Sequence, residues 1–250
     1  MVDTHCHIHE QNYALDVIDV IANASVNDVT KLICVGTTLD DSKIAVEFAN
    51  KRSNIWASIG LHPHDSKLGL SAYEDLQKIV KKDKIIAIGE CGLDYFYNHS
   101  SKIDQISALE FQIDLAINND LPMIFHVRDA FDDFWPIFDN FKGIRGVVHS
   151  FTASKKDLDK ALSRGLYIGL NGIMTFTKDQ SQLDTAKAVP RDRLVLETDS
   201  PFLTPSPLRG KVNQPSNIKI IAEFLSSLRG ETFNQLALQT TLNSERLFRI

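Results

Sequence analysis

The sequence predicts an α/β fold, a (β/α)8 TIM barrel, with residues 1–250 forming one domain. Three observations predict it. A length of 250 residues suits one such barrel. Short runs rich in Val, Ile and Leu alternate with amphipathic stretches from end to end. Histidines and carboxylates recur at the carboxyl ends of those runs, the end at which barrel active sites are built.

The predicted strands are Val2–His7, Lys31–Gly36, Ile55–Ile59, Ile85–Gly89, Pro122–His126, Gly146–His149, Leu166–Leu170 and Leu194–Glu197. Most are apolar without strict alternation, the pattern of parallel strands covered by helices on their outer face. Helical spacing predicts Ala14–Ala24, Asp41–Lys51 and Ser71–Lys82, the last opening with a capping-box pattern of Ser71 and Glu74. Ile103–Asn118 follows, with Ile106, Leu109, Ile113 and Ile117 on one face. Then come Asp129–Asn140, Lys155–Ser163, Ser181–Ala188, Ser216–Leu228 and Thr232–Leu247. A doubly wound open sheet is disfavoured, because no Gly-rich phosphate loop follows the first strand.

The chain is 43% hydrophobic and 24% charged, enough to bury a core and stay soluble. A net charge of −5 weighs against a protein that coats nucleic acid by bulk electrostatics, which is normally basic. Nucleic-acid chemistry would need a local basic loop or bound cations. Cys6, Cys34 and Cys91, odd in number and widely spaced, fit a reducing cytosol. The N-terminus has no signal-peptide pattern and no apolar run reaches membrane-span length, so a cytoplasmic protein without membrane association is expected.

His5 and His7 are two apart on the first strand and share a face, which in a barrel is the interior. A lone histidine would read as core packing; a His-x-His at a strand end, with His9 beyond, reads as a metal grip. Further strand ends carry His62 and His64, then Glu90, His126, His149 and Asp199. Four histidines (His5, His7, His126 and His149) and two carboxylates exceed the needs of one tetrahedral ion, so two metals are expected. Two ions about 3.5–4 Å apart can clamp the attacking and leaving oxygens of a displacement. Glu90 is the candidate bridging ligand, and Asp199 the candidate base for the attacking water. Imidazole with carboxylate suits Zn2+, Mn2+, iron or cobalt, and with water can hold Mg2+.

Other residues have paired readings. Arg128 contacts an anionic substrate or pairs with Asp129, Asp132 or Asp133. Asp94 and Tyr95 line the pocket or cap the next helix. Glu197 orients a ligand histidine or pairs with a buried Arg or Lys. Cys6 points away from His5 and His7 and reads as core, as does Cys91. The stretch from Arg209 to Pro215, with Lys211, is the strongest anion-binding candidate, against a solvated basic turn.

Taken in order, these segments resemble the TatD family of metal-dependent deoxyribonucleases, among the amidohydrolase-like barrels. The resemblance covers essentially the whole chain. It is carried by Asp3-Thr4-His5-Cys6-His7, Gly60-Leu61-His62-Pro63-His64, Ile88 through Asp94, Pro122 through Ala130, His149-Ser150-Phe151, Leu196 through Pro201, Arg209-Gly210-Lys211 with Asn213 and Pro215, and Asn243 through Phe248. It implies His5, His7, Glu90 and Asp199 around one metal and Glu90, His126 and His149 around a second. It implies phosphodiester hydrolysis of DNA, single-stranded or at 3′ ends, often as a 3′-to-5′ exonuclease. The implied cofactor is a pair of divalent ions, Mg2+ first, with Zn2+ and Mn2+ as alternatives. His62, Arg128 and Arg209 are implied near the scissile phosphate, and no obligatory protein partner is expected. The chain departs from the family pattern at Ala153, Val212 and Gln214, which weakens the expected grip of the basic loop. The competing activity is hydrolysis of an amide, ester or lactone, including D-aminoacyl-tRNA. A non-catalytic barrel is the third reading, opposed by retention of all six ligands.

Overall fold

The computed structural model describes residues 1–97 and 99–250, with Leu70 described in its backbone only. The chain carries an eight-stranded sheet in the order β1 to β8, each strand followed by helix, which is the (β/α)8 class that the sequence predicts. It forms two compact units, residues 1–34 with 149–250, and residues 35–148.

The first unit holds β1 (Val2–Cys6), α1 (Val17–Val26) and β2 (Lys31–Val35, up to Cys34). The second holds α2 (Leu39–Asn50), β3 (Ile55–Ile59), α3 (Gly69–Ile79), β4 (Ile85–Asp94), α4 (Lys102–Asn118), β5 (Met123–Arg128), α5 (Phe131–Asp139) and β6 (Gly146–Val148). The chain then returns to the first unit with α6 (Lys155–Ser163), β7 (Tyr167–Leu170), α7 (Gln180–Ala188), β8 (Leu194–Leu196), α8 (Ile218–Arg229) and α9 (Phe233–Phe248).

In the first unit, β1 pairs with β2 and β7 with β8, both parallel. The segment after β8 returns to β1. Asp199 N–H donates to the His5 carbonyl at 2.8 Å, and His7 N–H to the Ser200 carbonyl at 2.7 Å. All five residues of β1 are buried, so its period of two sorts side chains between two covered faces. Cys6, on the face away from His5 and His7, donates its thiol to the Ile33 carbonyl at 3.4 Å.

In the second unit β3 pairs with β4, β4 with β5 and β5 with β6, all parallel. Its core is an aromatic cluster: Phe125 on β5 meets Phe134 of α5 at 5.2 Å and Phe138 at 5.9 Å between ring centroids. Each fully buried ring contributes about 3 kcal/mol of transfer free energy. Cys91 is also core, its thiol 3.7 Å from the Ile124 carbonyl and its pKa pushed up by burial.

Two boundaries differ from expectation in ways that matter. β4 runs on to Asp94, five residues past the predicted end, because the β4–β5 ladder resumes beyond a register shift between Ile88 and Cys91. Helix α3 starts at Gly69, fed by a 3-10 turn over Pro63–Leu68, so Ser71 lies inside it and caps nothing. A complete capping box stands at Thr232 and Gln235, at the start of α9. Among the described residues no helix is long and apolar enough to cross a membrane.

Candidate metal centre

The first unit gathers one cluster of donors. His5 and His7 leave β1 on the same side, and their Nε2 atoms approach to 3.1 Å. Asp199 follows β8 in the left-handed region, at φ 57°. That backbone turn brings its Oδ1 to 3.6 Å from His5 Nε2 and 3.4 Å from His7 Nε2. Burial disfavours the Asp199 charge, but the His7 hydrogen bond and the fields of His5 and His149 outweigh it and lower its pKa. His149, just past β6, stacks on His5 with ring centroids 4.0 Å apart and planes 17° apart.

Two buried carboxylates brace this cluster. Glu197 Oε1 lies 3.5 Å from His149 Nδ1 and accepts from Ser150 N–H at 2.5 Å and Asn171 Nδ2–H at 3.3 Å. Its described partners include no Arg or Lys, so of its two sequence readings the geometry matches the one that orients a histidine. Asp3 accepts from Thr198 N–H at 2.9 Å, Thr198 Oγ–H at 2.6 Å and His5 N–H at 3.3 Å. Burial nevertheless pushes its pKa up to about 8. Asp3 thereby ties the end of β1 to the Thr198-Asp199-Ser200 turn, a role the sequence did not signal.

The second unit gathers another cluster on β4 and β5. Glu90 Oε1 lies 2.9 Å from His126 Nδ1 and 3.5 Å from His62 Nε2. Asp94, four residues beyond Glu90, puts Oδ2 at 3.0 Å from His126 Nε2 and 3.1 Å from His64 Nε2. Its Oδ1 accepts from Phe96 N–H at 2.9 Å and Tyr97 N–H at 3.0 Å. Burial opposes the Asp94 charge, but hydrogen bonds from His126, Tyr97 N–H and His64 hold its carboxyl well below the usual range. Asp94 therefore sits in the cluster and organises the following turn, whereas the next helix is capped by Ser101 and not by Asp94. His126 Nε2 faces Asp94 and Nδ1 faces Glu90, so a cation taken up beside Glu90 would use the Nδ1 lone pair and leave the ring proton on Nε2 toward Asp94.

His62 has its tautomer set by a backbone donor. His64 N–H donates to His62 Nδ1 at 3.2 Å, capping the Pro63–Leu68 turn and leaving the ring proton on Nε2. Burial pushes the His62 pKa down to about 4, so the ring is a neutral donor.

The basic residues stand as follows. Arg128, at the end of β5, is exposed with its guanidinium 3.9 Å from the Phe96 ring centroid. Asp133, one of the acids considered for it, is engaged by Tyr95 OH at 2.9 Å. Arg209 is exposed, stacks 3.9 Å over Phe176 and donates to the Thr204 carbonyl at 2.9 Å. Lys211 is exposed beside it. The Asn213 amide is committed to the fold, donating to the Thr198 and Phe202 carbonyls at 2.9 and 2.6 Å. The loop therefore presents cations, and Asn213 pins it.

The donors suit a divalent cation. His5, His149 and Glu197 each bring a ligand atom within 4.8 Å of the others, as do His62, Glu90 and His126. Facing Nε2 atoms beside a carboxylate form a borderline-hard N/O set that a cation satisfies better than a shared proton. Glu197 Oε2 is buried without a hydrogen-bond partner among the described residues, a further donor of that kind.

Fold and donors define a metal-dependent hydrolase of the (β/α)8 class. The family model for TatD related DNases matches residues 2–249, and the chain belongs to the TatD family. It is 37% identical to the metal-dependent hydrolase YcfH of Escherichia coli K12, over 100% of this chain and 96% of that one. It is 32% identical to the 3′-5′ ssDNA/RNA exonuclease TatD of Salmonella typhimurium, over 100% and 99%. The crystal structure of YJJV, a TatD homologue from Escherichia coli K12, matches with a TM-score of 0.94 at 27% identity, over 100% and 98%.

Proposed function

We propose that this chain hydrolyses phosphodiester bonds of DNA, degrading single strands from the 3′ end with two divalent ions. The carrying observation is the pair of His–carboxylate clusters, with donors converging in each unit, at strand ends of a TatD-family fold. A relative carrying the name of a 3′-5′ ssDNA/RNA exonuclease supports the choice of substrate.

In this reading His5, His7 and Asp199, with His149 beside them, would hold one ion, and Glu90 and His126 would hold the other. Bound there, divalent cations supply Lewis-acid polarisation of the phosphodiester and offset its negative charge. The rest is done by side chains. Asp199, held ionised by its histidine neighbours, takes the proton from the water that attacks phosphorus. The sugar oxygen that leaves is protonated from solvent. His62 keeps a proton on Nε2 and donates it in a hydrogen bond to a phosphate oxygen. Arg128, Arg209 and Lys211 supply positive charge to a chain whose net charge is −5, so they set where a polyanion approaches.

The test is a matrix of cations (Mg2+, Mn2+, Zn2+) against substrates. Single-stranded and duplex DNA, RNA, simple esters and D-aminoacyl-tRNA are compared, with Glu90→Ala and His126→Ala as controls. The reading expects stepwise shortening of 5′-labelled single-stranded DNA, lost in both variants and after chelation. Cleavage confined to esters or aminoacyl-tRNA, or undiminished DNA cleavage by the variants, overturns it.

A further inference from the structure

From the ring geometry beside the Glu90–His126 cluster, we infer that Phe96, Tyr97 and His99, with the Arg128 guanidinium, form a platform that stacks a nucleobase of the bound strand. The inference rests on the polynucleotide reading above and deepens it.

The turn after β4 exposes two large rings, Phe96 at 55% and Tyr97 at 49%. Exposed aromatic rings on a loop have two ordinary fates, a mobile tip or a recognition surface. The backbone around them is fastened on both sides. Asp94 Oδ1 accepts the Phe96 and Tyr97 amides. Gln105, fully buried on α4, donates to the carbonyls of Asp94 at 3.1 Å and Ser100 at 3.0 Å. Ser100 Oγ–H donates to the His64 carbonyl at 2.7 Å. These bonds hold the turn without burying its rings.

The rings are also ordered against one another. Phe96 and Tyr97 meet edge to face at 4.8 Å, and Tyr97 lies nearly parallel to His99, at 15° and 5.8 Å. His64 braces them at 5.4 Å from Tyr97 and 4.6 Å from His99. Arg128 Cζ sits 3.9 Å from the Phe96 centroid and 4.8 Å from that of Tyr97. Pre-set π faces beside a stacked guanidinium match the chemistry that binds single strands: bases stack on rings while the cation attends the backbone. The positive charge favours a polyanion over a neutral apolar partner.

One carboxylate joins platform and cluster. Asp94 holds the ring-bearing turn through Oδ1 and His126 through Oδ2, and His126 reaches Glu90. A base on the rings therefore sets its own phosphate toward Glu90 and His126. Stacking reads a ring face and not an edge, so the platform tolerates every base.

The experiment compares 5′-labelled oligonucleotides ending in a 3′ nucleotide or a 3′ abasic sugar. For wild-type protein, kcat/KM with the base-bearing end is expected to exceed the abasic value about tenfold, the size of one base–aromatic stack. Phe96→Ala and Tyr97→Ala bring that ratio toward one, and Tyr97→Phe restores it. The emission of a 3′-terminal 2-aminopurine is quenched on binding by wild type and less so by the alanine variants. Far-UV circular dichroism and cation binding confirm folded variants. A wild-type ratio of one on DNA that is cut overturns the platform and leaves the nuclease reading intact. Ratios equal in wild type and variants do the same, as does self-association that the variants abolish with base preference unchanged. Failure to cut any polynucleotide overturns the nuclease reading and the platform together.

Discussion

Replacing Asp94 by Asn isolates what its charge does, because the two groups are nearly isosteric. Asn Oδ1 keeps the hydrogen bonds from Phe96 N–H and Tyr97 N–H. The other arm becomes an NH2 facing the Nε2 atoms of His126 and His64, where a carboxylate oxygen stood at 3.0 and 3.1 Å. Two charge-assisted hydrogen bonds are lost and partly replaced by neutral ones. At about 1.5–3 kcal/mol for a bond to a charged group and about 1 for a neutral one, the net loss is about 2 kcal/mol. For a chain of this size that lowers Tm by about 4–8 °C. The functional effect is larger than the stability effect. His126 Nε2 must now accept, which leaves the ring proton on Nδ1, the atom 2.9 Å from Glu90 and proposed to hold a cation. Loss of such an orienting carboxylate costs about 10–100-fold in metal affinity or activity. The assay is imidazole 15N chemical shift of His126 in chelator-treated protein, paired with calorimetric titration of Mn2+. An unchanged His126 tautomer with undiminished Mn2+ affinity would refute the reasoning.

Two further outcomes follow from the fold. Gly92 sits at φ 148° opposite His126, and an added Cβ would fall on the His126 carbonyl oxygen. Overpacking and backbone strain together make Gly92→Ala about 4 kcal/mol less stable, read as a lower urea midpoint with unchanged m-value. Thr232 caps α9 in a complete capping box whereas Ser71 lies within α3, so Thr232→Ala should cost about 1 kcal/mol and Ser71→Ala less than about 0.5 by thermal unfolding.

The placement of the candidate residues was legible because strand-end position is local. His5 and His7 share a side by the two-residue period of a strand, which needs no knowledge of neighbours. Glu90 and Asp94 lie four apart on β4, so the same rule puts them on one side, but only if the strand continues past Gly89. Apolar patterning alone ends the strand at Gly89, which leaves Asp94 open to two roles. The register shift between Ile88 and Cys91, which lets β4 run on beside β5, is a property of the pair of strands. The capping box shows the same limit. Ser71 and Glu74 carry the right letters, but the turn over Pro63–Leu68 starts the helix before them.

By itself the sequence determined the class: the alternation of strands and helices, the location of His5, His7, Glu90, His126, His149 and Asp199 at strand ends, and hence a metal-dependent hydrolase. Periodicity and composition suffice for that, because each acts within one element. Tertiary structure alone decided which groups face one another. It stacked His149 on His5, aimed Glu197 at His149, set Asp94 between His126 and His64, and spread Arg128 over the exposed rings of Phe96 and Tyr97. Those partnerships join residues far apart in the chain. Ring orientation and proton position are set by the neighbour that packing supplies, and no spacing along one strand carries that information.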